Sequence, residues 1–510
     1  MTSTASERGL AVDLRLPRTG VPAPAERLFP DALDLVEALC RRLDAEGVDW
    51  CHWKSNVALD RSARGENDLD LLVARADVAR FEEVLSRLGF KEARLPPERE
   101  LPGIRDFYGY DGEADRLVHV HAHMQLVLGH DTTKNVRLPL EGPYLRSSSA
   151  QGFFRVPSPE FEYCVLIVRM MLKYSTWDAI LCLDARLSAG ERRELEDLAA
   201  RVSRAEVQGI LAQHLPYIGA ELLDECAASL RPGASLFSRY RAGRELLANL
   251  GAHARRPPSR DTALRVWRRF AWAVRRRLFG RITRRLAAGG AVIAIVGGDG
   301  SGKSTAVDEV GRWLGRVFPV RRVHMGKPRP SWSGHIAKAS LKIARALAAR
   351  VSTRRLGRMT PVARVTPYTQ MVWHILTARD RYRAYRRARR FATNGGIVIT
   401  DRYPLAQVGS MDGPRAASVL PHGGRLAGWF VRAEQAFYRH ILPPDVLVVL
   451  RVDPEIAVRR RSEQDPTRVR ARAEEVWTLD WQPTGAAVVD GSRPWPVIFA
   501  EIQSLIWSRL

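Results

Sequence analysis

Apolar residues recur along this chain with two different periods, and the period changes at definite places. Residues 31–43 carry apolar side chains at helical spacing, which predicts a helix. In residues 65–73 leucines alternate with acidic residues, a pattern typical of a strand with one buried face. Helical spacing then dominates residues 158–250. After residue 290, short continuous apolar runs alternate with helical stretches, which indicates a parallel α/β sheet.

A chain of 510 residues is too long for one ordinary core, so these patterns predict several domains. The first 28 residues lack periodicity and predict a flexible leader. The predicted segments after it are an α+β domain at 29–157, a helical subdomain at 158–254, a basic amphipathic linker helix at 255–290 and an α/β domain at 291–510.

The clearest motif lies at the start of the last domain. Six apolar residues lead into a glycine-rich turn in which Gly297, Gly302, Lys303 and Ser304 have G-x-x-x-x-G-K-[ST] spacing. In such a loop the backbone N–H groups converge on one anion, and the helix that follows adds its dipole. The spacing predicts binding of ATP with Mg²⁺. The predicted binding residues are Gly297, Asp299, Gly300, Ser301, Gly302, Lys303, Ser304 and Thr305.

A second group of residues is expected at the same edge of this sheet. Lys303 is expected to reach the β- and γ-phosphates and Ser304 to ligate Mg²⁺. A buried strand ends at Asp401 and Arg402, and ligands bind at the carboxyl ends of strands in open α/β sheets. Asp401 is therefore predicted to hold Mg²⁺ through water, and Arg402 to grip a second phosphoryl group. Asp453, before a helix-starting proline, is predicted to be a structural cap.

The order of these motifs resembles thymidylate kinase over about residues 290–510. The shared features are Gly-Gly-Asp-Gly-Ser-Gly-Lys-Ser-Thr, Asp-Arg-Tyr at 401–403, a Pro-Asp-Val-Leu strand and an arginine-rich lid. The resemblance implies a nucleoside monophosphate kinase-like fold and phosphotransferase activity, with Asp299 facing the acceptor nucleotide and Arg381 on the acceptor side. The catalytic residues it implies, with those predicted above, are Lys303, Asp401, Arg402, Arg460 and Arg468.

This chain departs from the thymidylate kinase pattern at two places. Asp-Arg-Tyr is followed by Pro404-Leu-Ala-Gln instead of a serine and an Ala-Tyr-Gln segment, and the second strand lacks Arg-Glu-Pro-Gly. Both elements enclose the acceptor in that family. The prediction is therefore an ATP-dependent phosphotransferase whose acceptor is a nucleotide monophosphate or a related small phosphorylated molecule, such as a sugar.

The first half carries a different motif. Asp68 and Asp70 alternate with leucines, so a strand places both carboxylates on one face, where they suit a divalent metal. With Lys54-Ser55 in place of Gly-Ser, this arrangement resembles the nucleotidyltransferase fold. His119 stands where the resemblance implies a third carboxylate. The predicted metal ligands here are Asp68, Asp70 and His119, and the domain is predicted to be a degenerate nucleotidyltransferase. The alternative is a solvated pair of strand-end carboxylates.

The net charge and the linker helix indicate which kinds of binding partner to expect. The formal net charge is +24, which suits nucleic acid, an anionic membrane or a polyphosphate, although a genome rich in arginine codons explains part of it. Asp261 is predicted to cap a helix that is basic on its other faces. Its apolar stripe is Leu264, Trp267, Phe270, Val274, Leu278 and Ile282. Such a helix lies in a membrane interface or, more commonly, packs its stripe on a neighbouring domain.

The remaining features of the sequence concern the cellular location of the protein and its functional class. The five cysteines have no paired spacing and are predicted to be reduced. No secretion signal and no apolar run of about 18 residues is present, which predicts a cytoplasmic protein, with peripheral attachment at the inner membrane face left open. Nucleic acid is disfavoured as a partner, and homodimerisation is left open. The alternative to a kinase is a regulatory P-loop protein that binds NTP at a membrane surface or on nucleic acid.

Overall fold

The computed structural model describes residues 28–181, 186–279, 283–326, 361–405, 408, 413–420 and 424–510, with isolated positions between 332 and 343. The predicted leader therefore lies outside the described residues, apart from Leu28. Ile282 of the predicted stripe also lies outside them.

A six-stranded mixed sheet forms the centre of the first half. Its order is β1-β2-β5-β4-β3-β10, in which β2 and β5 are parallel and the other pairs antiparallel. The strands from this half are β1 (Trp50–His52), β2 (Leu69–Val73), β3 (Lys91–Arg94), β4 (Ile104–Asp111) and β5 (Arg116–His123). The helices near it are α1 (Asp34–Ala45), α2 (Leu59–Ala63) and α3 (Val78–Arg87). Leucines and valines of β2 pack against α1 and α3 in one apolar cluster.

Two small hairpins and a helical bundle complete this half. The hairpin strands and the helix between them are β6 (Leu126–Leu128), β7 (Val136–Leu138), α4 (Glu141–Arg146), β8 (Ser149–Gln151) and β9 (Phe154–Val156). The bundle helices are α5 (Pro159–Tyr174), α6 (Trp177–Leu181), α7 (Ala189–Arg201), α8 (Arg204–His214), α9 (Ala220–Leu230) and α10 (Leu236–Asn249). Helix α5 is apolar on nearly every face because α7, α8, α9 and α10 surround it. These helices lie in residues 158–250, where the sequence has helical spacing.

The linker joins the two halves through a helix and a short strand. Helix α11 (Pro258–Phe279) leads to β10 (Arg285–Leu286), which pairs with β3 of the first sheet. The prediction that Asp261 caps the helix is wrong. The helix begins at Pro258, and Asp261 is buried in its first turn, where it accepts hydrogen bonds from Arg256 and Arg265.

A five-stranded parallel sheet forms the second half, as the apolar runs predicted. Its order is β12-β13-β11-β14-β15. The strands are β11 (Val292–Gly297), β12 (Val320–Val323), β13 (Ile397–Thr400), β14 (Val446–Arg451) and β15 (Ala487–Asp490). The helices are α12 (Lys303–Leu314), α13 (Pro361–Thr393), α14 (Ala416–Val419), α15 (Arg425–Arg439), α16 (Pro454–Arg460), α17 (Pro466–Thr478) and α18 (Trp495–Arg509). Strands β11 and β13 are buried throughout because helices cover both faces.

The two halves share an apolar core. Tyr108 of β4 lies in one cluster with Trp313, Phe318 and Trp507 of the second half. The indole N–H of Trp507 also donates to the Gly89 carbonyl at 3.0 Å. Packing of this kind fixes the first sheet against α12 and α18.

Two further predictions from the sequence concern the cysteines and membrane-spanning helices. Cys40, Cys51, Cys164 and Cys226 are buried and unpaired, as expected of reduced cysteines, while Cys182 falls outside the described ranges. Among the helices that the structure describes, none is both long enough and apolar enough to cross a bilayer.

Candidate functional site

The glycine-rich loop between β11 and α12 forms an open cradle. Gly300 and Gly302 have φ angles of 78° and 86°, in the left-handed region that favours glycine. A side chain at Gly297 would place its Cβ 2.5 Å from the Leu450 carbonyl oxygen of the neighbouring strand. Three of the predicted glycines are therefore required by the backbone path. The loop ends where α12 begins, so the helix N-terminus points into the cradle.

Lys303 occupies the cradle itself. Its Nζ donates to the Gly298 carbonyl. Burial lowers the pKa of Lys303 to about 8; the negative charge of Asp299 opposes this shift, and the positive charge of Arg402 adds to it. A cation that is partly desolvated and surrounded by other cations is stabilised by an anionic ligand. The site therefore favours an anion next to Lys303.

The other loop residues divide into buried and exposed ones. Ser301 is buried, and its Oγ has no hydrogen-bond partner within the part of the chain that the structure describes. Ser304 and Thr305 are exposed in the first turn of α12. A buried hydroxyl without a partner and exposed hydroxyls at a helix N-terminus fit a phosphate group and its metal ion.

Arginines of the predicted lid touch this loop. Arg472 of α17 forms an ion pair with Asp299 at 2.8 Å. Burial raises the pKa of Asp299, but the hydrogen bond from Arg472 and the charge of Lys303 outweigh it and hold the pKa below its ordinary value. Arg460 donates to the Gly491 carbonyl at 2.9 Å and approaches the Gly300 carbonyl at 3.5 Å. Arg468 is exposed on α17.

Asp401 and Arg402 lie at the end of β13, beside the loop. Together with Lys303 they line one pocket at the edge of the sheet. Its charged lining also includes Asp299, Arg415 and Arg472, and its apolar wall includes Leu405, Tyr403, Val476 and Trp481. The structure thus brings Lys303, Asp299, Asp401 and Arg402 together in one pocket that has both cations and an apolar wall.

Sequence reasoning missed His324 at this edge. Its Nδ1 lies 2.6 Å and 2.7 Å from the two carboxylate oxygens of Asp401. His324 follows β12 directly, and Asp401 follows β13. Strands β12 and β13 are parallel neighbours with Val323 opposite Thr400. The signal was present in the sequence as a polar residue after each strand, but it needed the order of the strands.

The environment of Arg381 differs from the acceptor side that the resemblance to thymidylate kinase implies. Its side chain is only 4% exposed. Its Nε and Nη2 donate to the carbonyls of Met325 and Gly326, each at 2.7 Å, and its Nη1 donates to the Tyr438 hydroxyl. These bonds hold the segment that follows β12. In this structure Arg381 supports the wall of the site and is turned toward backbone carbonyls.

In the first half, Asp70 lies in a cluster with histidines of β5. Its Oδ1 is 2.9 Å from Lys54 Nζ and 3.0 Å from His121 Nδ1. His121 Nδ1 lies 3.3 Å from Nε2 of His123, which is fully buried. One ligand atom from each of Asp70, His121 and His123 lies within 4.8 Å of the other two. These three side chains are close enough together to hold a metal ion.

Asp68 and His119 belong to a neighbouring cluster. His119 Nδ1 is 2.8 Å from Asp68, and its Nε2 is 2.7 Å from Asp106 of β4. Burial lowers the pKa of His119, but the hydrogen bonds with Asp106 and Asp68 outweigh it and raise the pKa above its usual value. Arg284 of the linker approaches Asp106 at 3.3 Å. Burial opposes ionisation of Asp106, yet His119 and Arg284 bring its pKa down to about 2.

The predicted ligands are thus divided between two adjacent clusters. Asp70 lies in one, and Asp68 and His119 lie in the other. Asp106 is a third carboxylate that sequence reasoning missed. It lies on β4, opposite His121 in the antiparallel register with β5. Residues 106–109 of that strand are all buried, so alternation gave no signal for Asp106.

The turn at Lys54-Ser55 is tied to the bundle. Ser55 has a φ of 60°, and its N–H donates to Glu194 of α7 at 2.8 Å. The Asn56 N–H donates to Glu162 of α5 at 3.3 Å. Burial raises the pKa of Glu162 to about 7; its hydrogen bond with the Asn56 side chain opposes this rise and the charge of Glu194 adds to it. The N–H groups of this turn therefore face carboxyl groups of the protein.

Comparison with known proteins bears on the second half. No protein-family model matches the chain. It is similar to the uncharacterized ATP-binding proteins YghR (23% identical over 223 residues) and YghS (25% over 213) of Escherichia coli K12. The matches cover 42% and 40% of this chain and 86% of each relative.

Among solved structures, this chain is similar to the deoxyadenosine kinase from M. mycoides with bound dATP. The match has 15% identity, covers 42% of this chain and 97% of that one, and has a TM-score of 0.26. A superposition at that score adds nothing on function. The parallel sheet and the glycine-rich loop at the end of central strand β11 make the described part of residues 292–510 an α/β region with a phosphate-binding loop.

Proposed function

We propose that residues 292–510 transfer the γ-phosphoryl group of ATP to a small phosphorylated acceptor, in the manner of thymidylate kinase. One observation carries this proposal: Lys303, Asp401 and Arg402 line a single pocket at the carboxyl edge of the sheet. The name of the relatives, ATP-binding proteins, supports ATP as the donor. Arg402 and Arg415 line the pocket together with Lys303, which supports a second phosphorylated ligand.

Each residue has a distinct part in this reaction. The loop N–H groups and the Lys303 ammonium bind the β- and γ-phosphates and hold them still. Ser304 and Asp401 would hold Mg²⁺, which neutralises charge on the transferring group. The acceptor oxygen attacks the γ-phosphorus while the bond to the ADP oxygen breaks. Arg402 orients the acceptor phosphate, because a guanidinium binds two phosphate oxygens at once.

Arg402, Arg415, Tyr403 and Trp481 line the same pocket, and we propose that they form its acceptor side. Cations beside an aromatic wall suit a phosphate attached to a ring, either the base of a nucleotide or a sugar. The family segments that enclose thymidine monophosphate are replaced in this sequence. We therefore propose a nucleotide monophosphate or a phosphorylated sugar as the acceptor, without specificity for thymidine.

A transfer assay with radiolabelled ATP and a panel of nucleoside monophosphates and sugar phosphates tests this function. We expect label to move to at least one acceptor. Arg402→Ala should lower that transfer by about 100-fold or more while ATP still binds, since it removes one charged contact with the transition state. Arg312→Ala removes an exposed arginine of α12 outside the pocket and should leave transfer unchanged.

A different result would favour a regulatory P-loop protein. ATP hydrolysis that DNA or RNA stimulates, with no label on any acceptor, would contradict the kinase proposal. A nucleic-acid-stimulated ATPase has no need for Arg402 to bind a second phosphate.

For the first half, we propose a nucleotidyltransferase-like domain that binds a nucleotide or a phosphorylated sugar and transfers slowly or not at all. Two-metal transfer needs carboxylates that bridge ions about 3.5–4 Å apart. Here Asp68 is paired with His119, and Asp70 with Lys54 and His121. The Ser55 and Asn56 N–H groups already bind carboxyl groups. These contacts support one metal ion at most, and imidazole ligands favour ions softer than Mg²⁺.

Pyrophosphate release from each NTP, with Mg²⁺ and then Mn²⁺, tests the first half. The measurement uses a Lys303→Ala background so that the second half is silent. We expect slow release or none, because Asp68 and Asp70 are each already paired with side chains of the protein. Robust release that disappears in both Asp68→Ala and Asp70→Ala would show a working transferase and contradict the proposal.

A further inference from the structure

Helix α11 is packed with its charged face inward. Arg265 is only 4% exposed, and its guanidinium donates to both carboxylate oxygens of Asp178 at 2.7 Å and 2.8 Å. It also bonds to Asp261 at 3.1 Å. Arg268 donates to the Thr132 carbonyl at 2.7 Å. The helix is therefore held to the first half of the protein by arginine contacts.

The opposite face of α11 is apolar and exposed to solvent. Val266, Trp267, Phe270, Val274 and Leu278 follow one another at steps of one, three or four residues and share one side of the helix. The exposed fractions of Trp267, Phe270 and Leu278 are 64%, 62% and 67%. A helix on the surface of a globular domain normally turns such a stripe to the core. The prediction that this stripe packs on a neighbouring domain is not what the described residues show.

The charge around the stripe indicates what covers it. Within Pro258–Phe279 the one acidic residue is Asp261, which is buried and paired with Arg265. Arg276 and Arg277 are exposed near the stripe, and Arg275 is exposed beside Glu98. This surface thus combines aromatic and aliphatic side chains with positive charge. A second copy of the chain on the same face would bring like charges together, which disfavours self-association.

We propose that the α11 stripe binds the interface of an anionic membrane. Trp267 and Phe270 would lie at the level of the lipid headgroups, where tryptophan is enriched, and Leu278 would reach the acyl boundary. Arg276 and Arg277 would contact lipid phosphates. This inference goes beyond phosphoryl transfer and does not depend on it. It assigns a location to the protein and makes α11 the contact surface.

Co-sedimentation of the full-length protein with lipid vesicles tests the proposal. We expect binding to phosphatidylcholine vesicles that contain phosphatidylglycerol and much weaker binding to phosphatidylcholine alone. Trp267→Ala/Phe270→Ala should weaken the binding by about tenfold or more, because two large apolar side chains no longer enter the interface. A matched control is Leu236→Ala/Phe237→Ala, which removes two exposed apolar residues of α10 and should bind as the wild type does.

A second variant tests the contribution of charge. Arg276→Gln/Arg277→Gln keeps the apolar stripe and should lower both the binding to anionic vesicles and its sensitivity to salt. All the altered side chains are exposed, so each variant should keep the wild-type melting curve by circular dichroism.

Several outcomes would overturn the inference. They are no binding to anionic vesicles, equal binding to neutral ones, or unchanged binding of Trp267→Ala/Phe270→Ala. Sedimentation velocity adds a further one. A concentration-dependent dimer that this variant abolishes would assign the stripe to a second copy of the chain.

Discussion

Mg-ATP is expected to raise the melting temperature of the protein, and Lys303→Ala is expected to abolish that rise. A ligand present at 100 times its Kd stabilises the folded state by about 2.7 kcal/mol. For a domain of this size, at about 2–4 °C per kcal/mol, that corresponds to a rise of about 5–11 °C. Lys303 is the cation inside the cradle, so its loss removes the main charge that faces the β- and γ-phosphates. Differential scanning fluorimetry with and without Mg-ATP measures the effect.

The pH dependence of Mg-ATP binding gives a second measurement of the role of Lys303. In the free protein the pKa of Lys303 is lowered to about 8, chiefly by burial. Bound phosphates favour the charged amine and raise that pKa, so the protein takes up a proton on binding above pH 8. Binding should be constant below pH 8 and weaken by up to about tenfold per unit above it. Calorimetry at pH 8.5 in two buffers of different ionisation enthalpy counts the proton.

The control for this prediction is Arg312→Ala, an exposed cation on the same helix that lies outside the pocket. Its Mg-ATP shift should equal that of the wild type. Equal shifts for wild type and Lys303→Ala would contradict the assignment of the loop. Without ligand, Lys303→Ala should melt no lower than the wild type, since a partly desolvated amine carries a cost in the folded state.

The phosphate-binding loop was predictable because its chemistry is local. Gly297, Gly302 and Lys303 act through a backbone path of a few residues, and their spacing alone fixes that path. Asp401 was also predictable, because a buried strand that ends in a polar residue places it at the sheet edge. These predictions needed no knowledge of strand order.

The partners of those residues were not predictable in the same way. His324 meets Asp401 because β12 and β13 are neighbours, and Asp106 meets His119 because β4 pairs with β5. Strand neighbours depend on long-range packing that a single sequence does not display. The same limit explains why His119 was predicted as a metal ligand beside Asp70. The structure pairs it with Asp68 and Asp106 instead.

Helix α11 shows a further limit of the sequence. Helical spacing predicted the helix and its apolar stripe, but periodicity does not say which face is turned inward. The usual rule places the apolar face inside. Here Asp178 is a buried carboxylate on α6 that needs a cation, and Arg265 meets it from the polar face of α11. That ion pair decides the orientation of the helix and leaves the stripe in solvent.

Replacing Arg265 with alanine is therefore expected to have the largest effect on stability among the arginines of α11. Asp178 is 3% exposed and would lose both of its Arg265 hydrogen bonds. Removing one partner of a buried ion pair costs about 3–5 kcal/mol, and Arg269, 3.9 Å from Asp178, compensates part of the charge that remains. Urea denaturation followed by circular dichroism measures the loss. The matched control is Arg241→Ala, whose pair with Glu225 is exposed to solvent, so its loss should cost far less.

A double variant separates the ion pair from the packing of the helix. Arg265→Ala/Asp178→Ala removes both charges, so it should be more stable than Arg265→Ala alone. Recovery of that kind would show that the remaining charge of Asp178 causes most of the loss. If Arg265→Ala and Arg241→Ala cost the same, the buried pair does not hold α11 in place. The inverted packing of the helix, on which the exposure of Trp267 and Phe270 depends, would then need another cause.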